Sequence, residues 1–340
     1  HTGASVCADP ISWFRAGLIH NPSMFVLAIP GVGKSTFVRH MLVGLSAFGS
    51  IPLVLGDVRP DYVDLVRALG GQVISLGRGS GYLNVLDGRE ARVAAEHLTG
   101  KAREQVLTDS HERRRTMVEA LVSIARGTAA AEGSDSNVTD RESNLLGVAI
   151  ELLDERHGTG QPPVLDDLLA IVKQAPEALR AVALDRGSMS RYLEVTDQLE
   201  ATLMGLTGVG RLGEVFSRQT SEPMMLDRPV VYDLSGIPAT QSSMRAAALL
   251  ACWSNGFGLV EAAQTLADQG LAPRRSYAVV MDEIHQAVGA GPGMGRRMDS
   301  LTRLNRQIGV GSIYITQTMK DLLAMPTEAA TSSTVMASKP

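Results

Sequence analysis

Residues 28–36 read Ala-Ile-Pro-Gly-Val-Gly-Lys-Ser-Thr, directly after the apolar run Met24-Phe25-Val26-Leu27. This is the pattern of a loop that binds phosphate. Such a site needs backbone N–H groups aimed at the anion, hence a tight turn unhindered by side chains. Gly31 and Gly33 permit that turn, with Pro30 and Val32 completing the loop. Lys34 has the reach for the β- and γ-phosphates of a nucleoside triphosphate. Ser35 carries a hydroxyl suited to Mg²⁺, and the helix that opens at Thr36 turns its positive end to the anion. Ala28 stands where such loops usually begin with Gly.

A second chemical group lies far downstream. Tyr277-Ala278-Val279-Val280-Met281-Asp282-Glu283 is an apolar strand that ends in two carboxylates. Asp282 is placed to hold the Mg²⁺ shell, through water or through Ser35. Glu283 is placed to polarise the water that attacks a γ-phosphate. A third strand, Ser312-Ile313-Tyr314-Ile315-Thr316, exits into Gln317. An amide there senses the γ-phosphate, positions water, or merely ends the strand. Arg303 and Arg306 share one face of an expected helix. They read as fingers reaching a neighbouring subunit's nucleotide or as a solvated basic face. The run Arg113-Arg114-Arg115, flanked by Glu112 and Glu119, reads as a solvated helix face. His285, two residues beyond Glu283, reads as a contact of that carboxylate or of a neighbour, or more simply as structural, and no second His or Cys is spaced to make a metal site with it.

These residues need a scaffold that brings three strand ends together. The first ninety residues alternate strand and helix. Apolar runs at 24–29, 51–55 and 72–76 read as buried parallel strands, and 35–48 and 62–69 read as crossover helices. From 91 to 221 strand signals vanish and helical periodicity takes over, as in Val118-Leu121-Val122 and Leu145-Val148-Ile150. Thr139-Asp140-Arg141-Glu142 is a capping box. The small, polar stretch 127–138 reads as a flexible connector. Strand texture returns at 229–234, 276–281 and 312–316, with a long helix expected at 242–267. The fold class is therefore α/β with a mostly parallel sheet. The core is split between 1–90 and 222–340, and an all-α insertion at 91–221 falls between its third and fourth strands.

Composition narrows the function. A chain of 340 residues can bury a large core. Its net charge of −4 gives no global basic field toward nucleic acid, so DNA as a partner is not indicated. Aromatics at 4% supply no stacking platform for single strands. Cys7 and Cys252 have neither metal nor redox spacing and read as core thiols in a reducing compartment. The apolar stretch at 246–253 is short of a membrane span. No signal-peptide pattern is seen. The sequence starts at His1 rather than Met, which leaves room for further parts of a longer protein.

With these residues placed, the chain resembles the ATPase domain of the VirB/TraC-type conjugation and type IV secretion ATPases, within the FtsK/HerA superfamily of RecA-like motors. The resemblance is carried by Asp9-Pro10, the 29–36 loop, Gly56-Asp57-Val58-Arg59-Pro60-Asp61-Tyr62 and Tyr82-Leu83-Asn84-Val85-Leu86-Asp87. It continues through Val280-Met281-Asp282-Glu283, Asn305-Arg306-Gln307 and Ile315-Thr316-Gln317. Val85 replaces the family's Pro and Gln307 its Lys. The resemblance implies a RecA-like P-loop core, ATP and Mg²⁺ as cofactors, and a homo-hexamer. It implies partners in the secretion or conjugation apparatus, and a cytoplasmic place at the inner face of the membrane, held there through those partners. It also gives Arg306 the role of a trans-acting finger and Gln317 that of the motif glutamine. Two other readings share the loop. One is a DNA translocase of the FtsK or HerA kind. The other is a scaffold that binds nucleotide without turnover, against which the Asp282-Glu283 pair argues.

Overall fold

The apolar runs of the sequence become six parallel strands in a single sheet. In a computed structural model, residues 9–29, 31–129, 137–207, 212–290 and 310–317 are described. The strands are β1 (Ser23–Leu27), β2 (Ser50–Asp57), β3 (Gln72–Ser75), β4 (Val230–Asp233), β5 (Ser276–Met281) and β6 (Gly311–Thr316). Their spatial order is β1-β6-β5-β2-β4-β3, every pair parallel. The expected α/β class with a mostly parallel sheet is what the structure has.

Helices supply the crossovers. They are α1 (Pro10–Arg15), α2 (Lys34–Ala47), α3 (Val63–Ala68), α4 (Arg89–His97), α5 (Gly100–Ala129) and α6 (Asp140–His157). Then come α7 (Leu165–Gln174), α8 (Glu177–Ala183), α9 (Met189–Leu206), α10 (Gly213–Phe216), α11 (Ser242–Asp268) and α12 (Ile284–Val288). Between β3 and β4 every regular element among the described residues is helical, α4 through α10. Helix α5 runs on to Ala129, so the connector expected at 127–138 starts as helix. Residues 130–136 lie outside the described residues. The capping box forms as read: Thr139 accepts from the Glu142 backbone, and Glu142 reaches back to Thr139.

Alternation along the strands sorts the core into two layers. Val54, Val280, Ile313 and Ile315 pack with Val38 and Leu42 of α2 and Val66 of α3. Leu53, Leu55, Val279 and Met281 pack on the other face with α11 and the helical block, whose own core is continuous with theirs. Each such side chain contributes about 1.5–3 kcal/mol on burial. Helix α11 is long and apolar enough to cross a membrane by composition alone, yet 78% of its most apolar window is buried inside the fold. Its small residues let it sit close to β2. A Cβ on Gly256 would come within 2.6 Å of Leu55.

One expectation changes. The first apolar run was expected as a fully buried strand. Instead β1 pairs only with β6 among the described residues, and Phe25 and Leu27 are exposed. A continuous apolar run does not distinguish an edge strand from a central one, because that depends on which strands pair beside it.

Candidate functional site

The site lies where β1, β5 and β6 end. Leaving β1, the chain turns through Gly31 at φ 83° and Gly33 at φ 91°, both in the left-handed region. Nothing lies within 4 Å of a Cβ built on either glycine, so the loop faces open space. Gly33 is the N-cap of α2, no side chain caps that end, and no acidic residue stands in the first turn. The N–H groups and the positive end of a fourteen-residue helix are left to meet an anion. Val32 and Thr36 are exposed beside them, and Pro30 lies outside the described residues. Lys34 is half-buried, with Nζ 3.5 Å from the Thr316 carbonyl it donates to.

Strand order explains that contact. β6 lies between β1 and β5, so its exit falls between the glycine loop and the acid pair. Asp282 and Glu283 follow β5 and are both buried. Glu283 has φ 53°, a left-handed backbone that a non-glycine residue holds only under constraint. Its Oε1 accepts a 2.6 Å bond from Nε2 of Gln317. Its Oε2 is buried without a hydrogen-bond partner among the described residues, with His285 Nε2 3.4 Å away. The other ring nitrogen of His285 is 3.4 Å from the Thr316 hydroxyl. His285 therefore stands beside the carboxylate of Glu283.

The loop after β2 closes the other side. The register of β2 on β4 shifts between Val54 and Asp57, and Gly56 takes φ 128°. A Cβ at Gly56 would lie 2.5 Å from Leu249, so only glycine fits. The irregularity turns Asp57 into the loop, where it accepts from the backbone N–H of Asp61 at 3.2 Å and of Tyr62 at 2.8 Å. Asp61 then accepts from the Ser35 hydroxyl at 2.8 Å, and the Tyr62 hydroxyl donates to Asp282 at 3.2 Å. The second oxygen of Asp282 takes the Glu283 N–H at 2.7 Å. Burial pushes Asp57 up to about 7 despite its two backbone donors. Burial, then the charge of Glu283, pushes Asp282 up to about 6. Burial and Asp282 also raise Tyr62.

Lys34, Ser35, Asp282, Glu283 and Gln317 are thus brought together. Arg306 and Arg303 lie outside the described residues. Direct roles for Asp61, Tyr62 and Thr316 went unread, although the 56–62 segment had stood out as a motif. Arg245 of α11 was also missed. It donates to the Ile237 carbonyl at 2.9 Å, and burial and the charge of Arg59 hold it below the ordinary arginine range, opposed by Glu283. The basic run is not a solvated face throughout. Arg113 pairs with Glu261 of α11, and Arg114 bonds Asp154 of α6 at 2.6 and 2.7 Å. Both guanidinium side chains are 8% exposed. Gly258 and Gly88 leave the room they fill. Cys252 is buried, as expected of a core thiol.

These residues fit a metal-bound triphosphate. The unobstructed glycine turn and uncapped helix end suit phosphate, the Ser35 hydroxyl and the Asp282 carboxylate are hard oxygen donors, and Glu283 Oε2 is a buried acceptor with no hydrogen-bond donor among the described residues. No protein-family model matches the sequence, and no curated protein is found similar to it. The fold is similar to that of VirB4 of Thermoanaerobacter pseudethanolicus, with a TM-score of 0.62 and 18% identity. The likeness covers 93% of this chain and 74% of that one. The resemblance seen in the motifs is met again in the fold.

Proposed function

We propose that this chain is a Mg²⁺-dependent ATPase that powers conjugative transfer or type IV secretion. The observation that carries the reading is the meeting of Lys34, Glu283 and Gln317 at adjacent strand ends, beside a helix end open to phosphate. The VirB4-like fold supports the choice of machinery. In this reading the loop 30–36 binds the triphosphate, and Lys34 neutralises charge that develops on the γ-phosphate. Bound Mg²⁺, held by Ser35 and Asp282, supplies further charge neutralisation. Glu283 keeps Oε1 on Gln317 and offers Oε2 to the attacking water.

Residues 91–221 form the all-α insertion subdomain of the core 1–90 and 222–340 in this proposal. Arg306 completes the site of a neighbouring subunit in a homo-hexamer, at the cytoplasmic face of the membrane and through apparatus partners. Mixing Arg306→Ala with Lys34→Ala subunits tests that role, because interfaces with one intact side from each would regain turnover.

The central test is phosphate release from ATP by the purified chain, with Mg²⁺ and with excess EDTA. Metal-dependent release supports the reading. Tight nucleotide binding with no release in any assembly state favours the scaffold instead.

A further inference from the structure

We propose that Asp61 is a positioning residue of the metal site, which orients the Ser35 hydroxyl toward the cation. The inference rests on the nucleotide site proposed above. A serine hydroxyl has one hydrogen and two lone pairs. To ligate a cation it must offer a lone pair, so its hydrogen must go elsewhere. Here it goes to Asp61 Oδ2 at 2.8 Å. Asp282 is not the acceptor: its two oxygens take the Tyr62 hydroxyl and the Glu283 N–H. A carboxylate acceptor also draws the hydrogen outward and enriches the oxygen that faces the metal.

Asp61 is itself held. Asp57 binds its backbone N–H and that of Tyr62, and Tyr62 is fully buried with its hydroxyl on Asp282. One short turn after β2 therefore touches both candidate metal residues, Ser35 on α2 and Asp282 after β5. Its seat is the glycine irregularity at Gly56. A surface carboxylate that merely decorated the first turn of α2 would need no such framework.

The test uses the full chain and a fluorescent ATP analogue, titrated with Mg²⁺ and separately in EDTA. Asp61→Asn keeps the shape and removes the charge. Asp64→Asn is the control, since Asp64 is exposed on α3 and pairs only loosely with Arg67 at 3.5 Å. For Asp61→Asn the Mg²⁺ concentration at half-maximal binding should rise about 10-fold or more. Binding in EDTA and the melting temperature should stay near wild type, and Asp64→Asn should match wild type throughout. An unchanged Mg²⁺ midpoint overturns the proposal, as does a parallel loss of binding in EDTA. If the wild-type chain binds no nucleotide at all, the underlying reading fails, and this one with it.

Discussion

Gln317 donates a 2.6 Å hydrogen bond to Oε1 of Glu283, joining the exit of β6 to the exit of β5 across 34 positions of sequence. The bond leaves one carboxylate oxygen fixed and the other without a hydrogen-bond donor among the described residues. That asymmetry gives the two oxygens different work. In the proposed mechanism Oε1 sets the orientation, and Oε2, buried beside His285, is the atom left to accept from the attacking water.

Replacing Gln317 by Ala should therefore lower turnover more than it lowers affinity. The expected loss in kcat is about 10–100-fold, less than the roughly 100–10,000-fold of a general base itself, because Gln317 only orients that base. Nucleotide Kd should change by less than about threefold, a fraction of a kcal/mol. Steady-state hydrolysis and equilibrium binding on the same preparation check both. Equal losses in the two would mean Gln317 shapes the pocket and does not orient Glu283.

Glu283→Gln should bind ATP and fail to hydrolyse it, because the amide keeps the shape without the charge that polarises water. Retention of labelled ATP on the variant after gel filtration reads this directly. Persistent turnover with collapsed affinity would assign Glu283 a structural role.

Lys34→Ala should reduce turnover by at least about 100-fold, near 3 kcal/mol of transition-state stabilisation. Its ammonium donates to the Thr316 carbonyl beside the acid pair, which places it within the proposed site. Near-wild-type hydrolysis would remove it from the mechanism.

Asp57 should make stability depend on pH. Burial raises it from 3.8 to about 7 in the folded chain. The folded state thus binds the proton more tightly than the unfolded state. The advantage is full below about pH 4 and is lost as pH rises through about 7. Relative to Asp57→Asn, the wild type should lose up to about 4 kcal/mol between pH 4 and pH 8. Urea unfolding of both proteins in EDTA measures the difference. A pH-independent difference would show that Asp57 titrates alike in the folded and unfolded states, with no raised pKa in the folded chain.

Arg126 and Glu142 tie α5 to α6 through bonds of 2.5 and 3.1 Å, with side chains 8% and 7% exposed. Arg126→Met should cost about 3–5 kcal/mol, since it leaves a buried carboxylate with its Thr139 bonds but without its paired charge. Adding Glu142→Leu should recover part of that loss, less what the α6 capping box contributes, since Glu142 is its N3 residue. Denaturant melts of the two single variants and the double variant close the cycle, and additive losses would deny the coupling.

The glycine turn before α2, the acid pair after β5, the six strands and the helical elements between the third and fourth strands were all legible in the sequence. Each is written in a short window: glycine placement, two-residue alternation, helical periodicity, a capping box. Such signals depend on backbone sterics and on which face of an element is apolar, so neighbours in sequence suffice to carry them. Strand order is different. Placing β6 between β1 and β5 is a matter of packing whole layers, and no local pattern encodes it. That order decided that β1 lies at an edge among the described residues, that Gln317 meets Glu283, and that Lys34 reaches Thr316. The same holds for Asp61 on Ser35 and for the burial of Arg113 and Arg114. Their partners lie 26, 148 and 40 positions away. A charged side chain reads as solvated until tertiary packing brings the opposite charge that makes burial affordable.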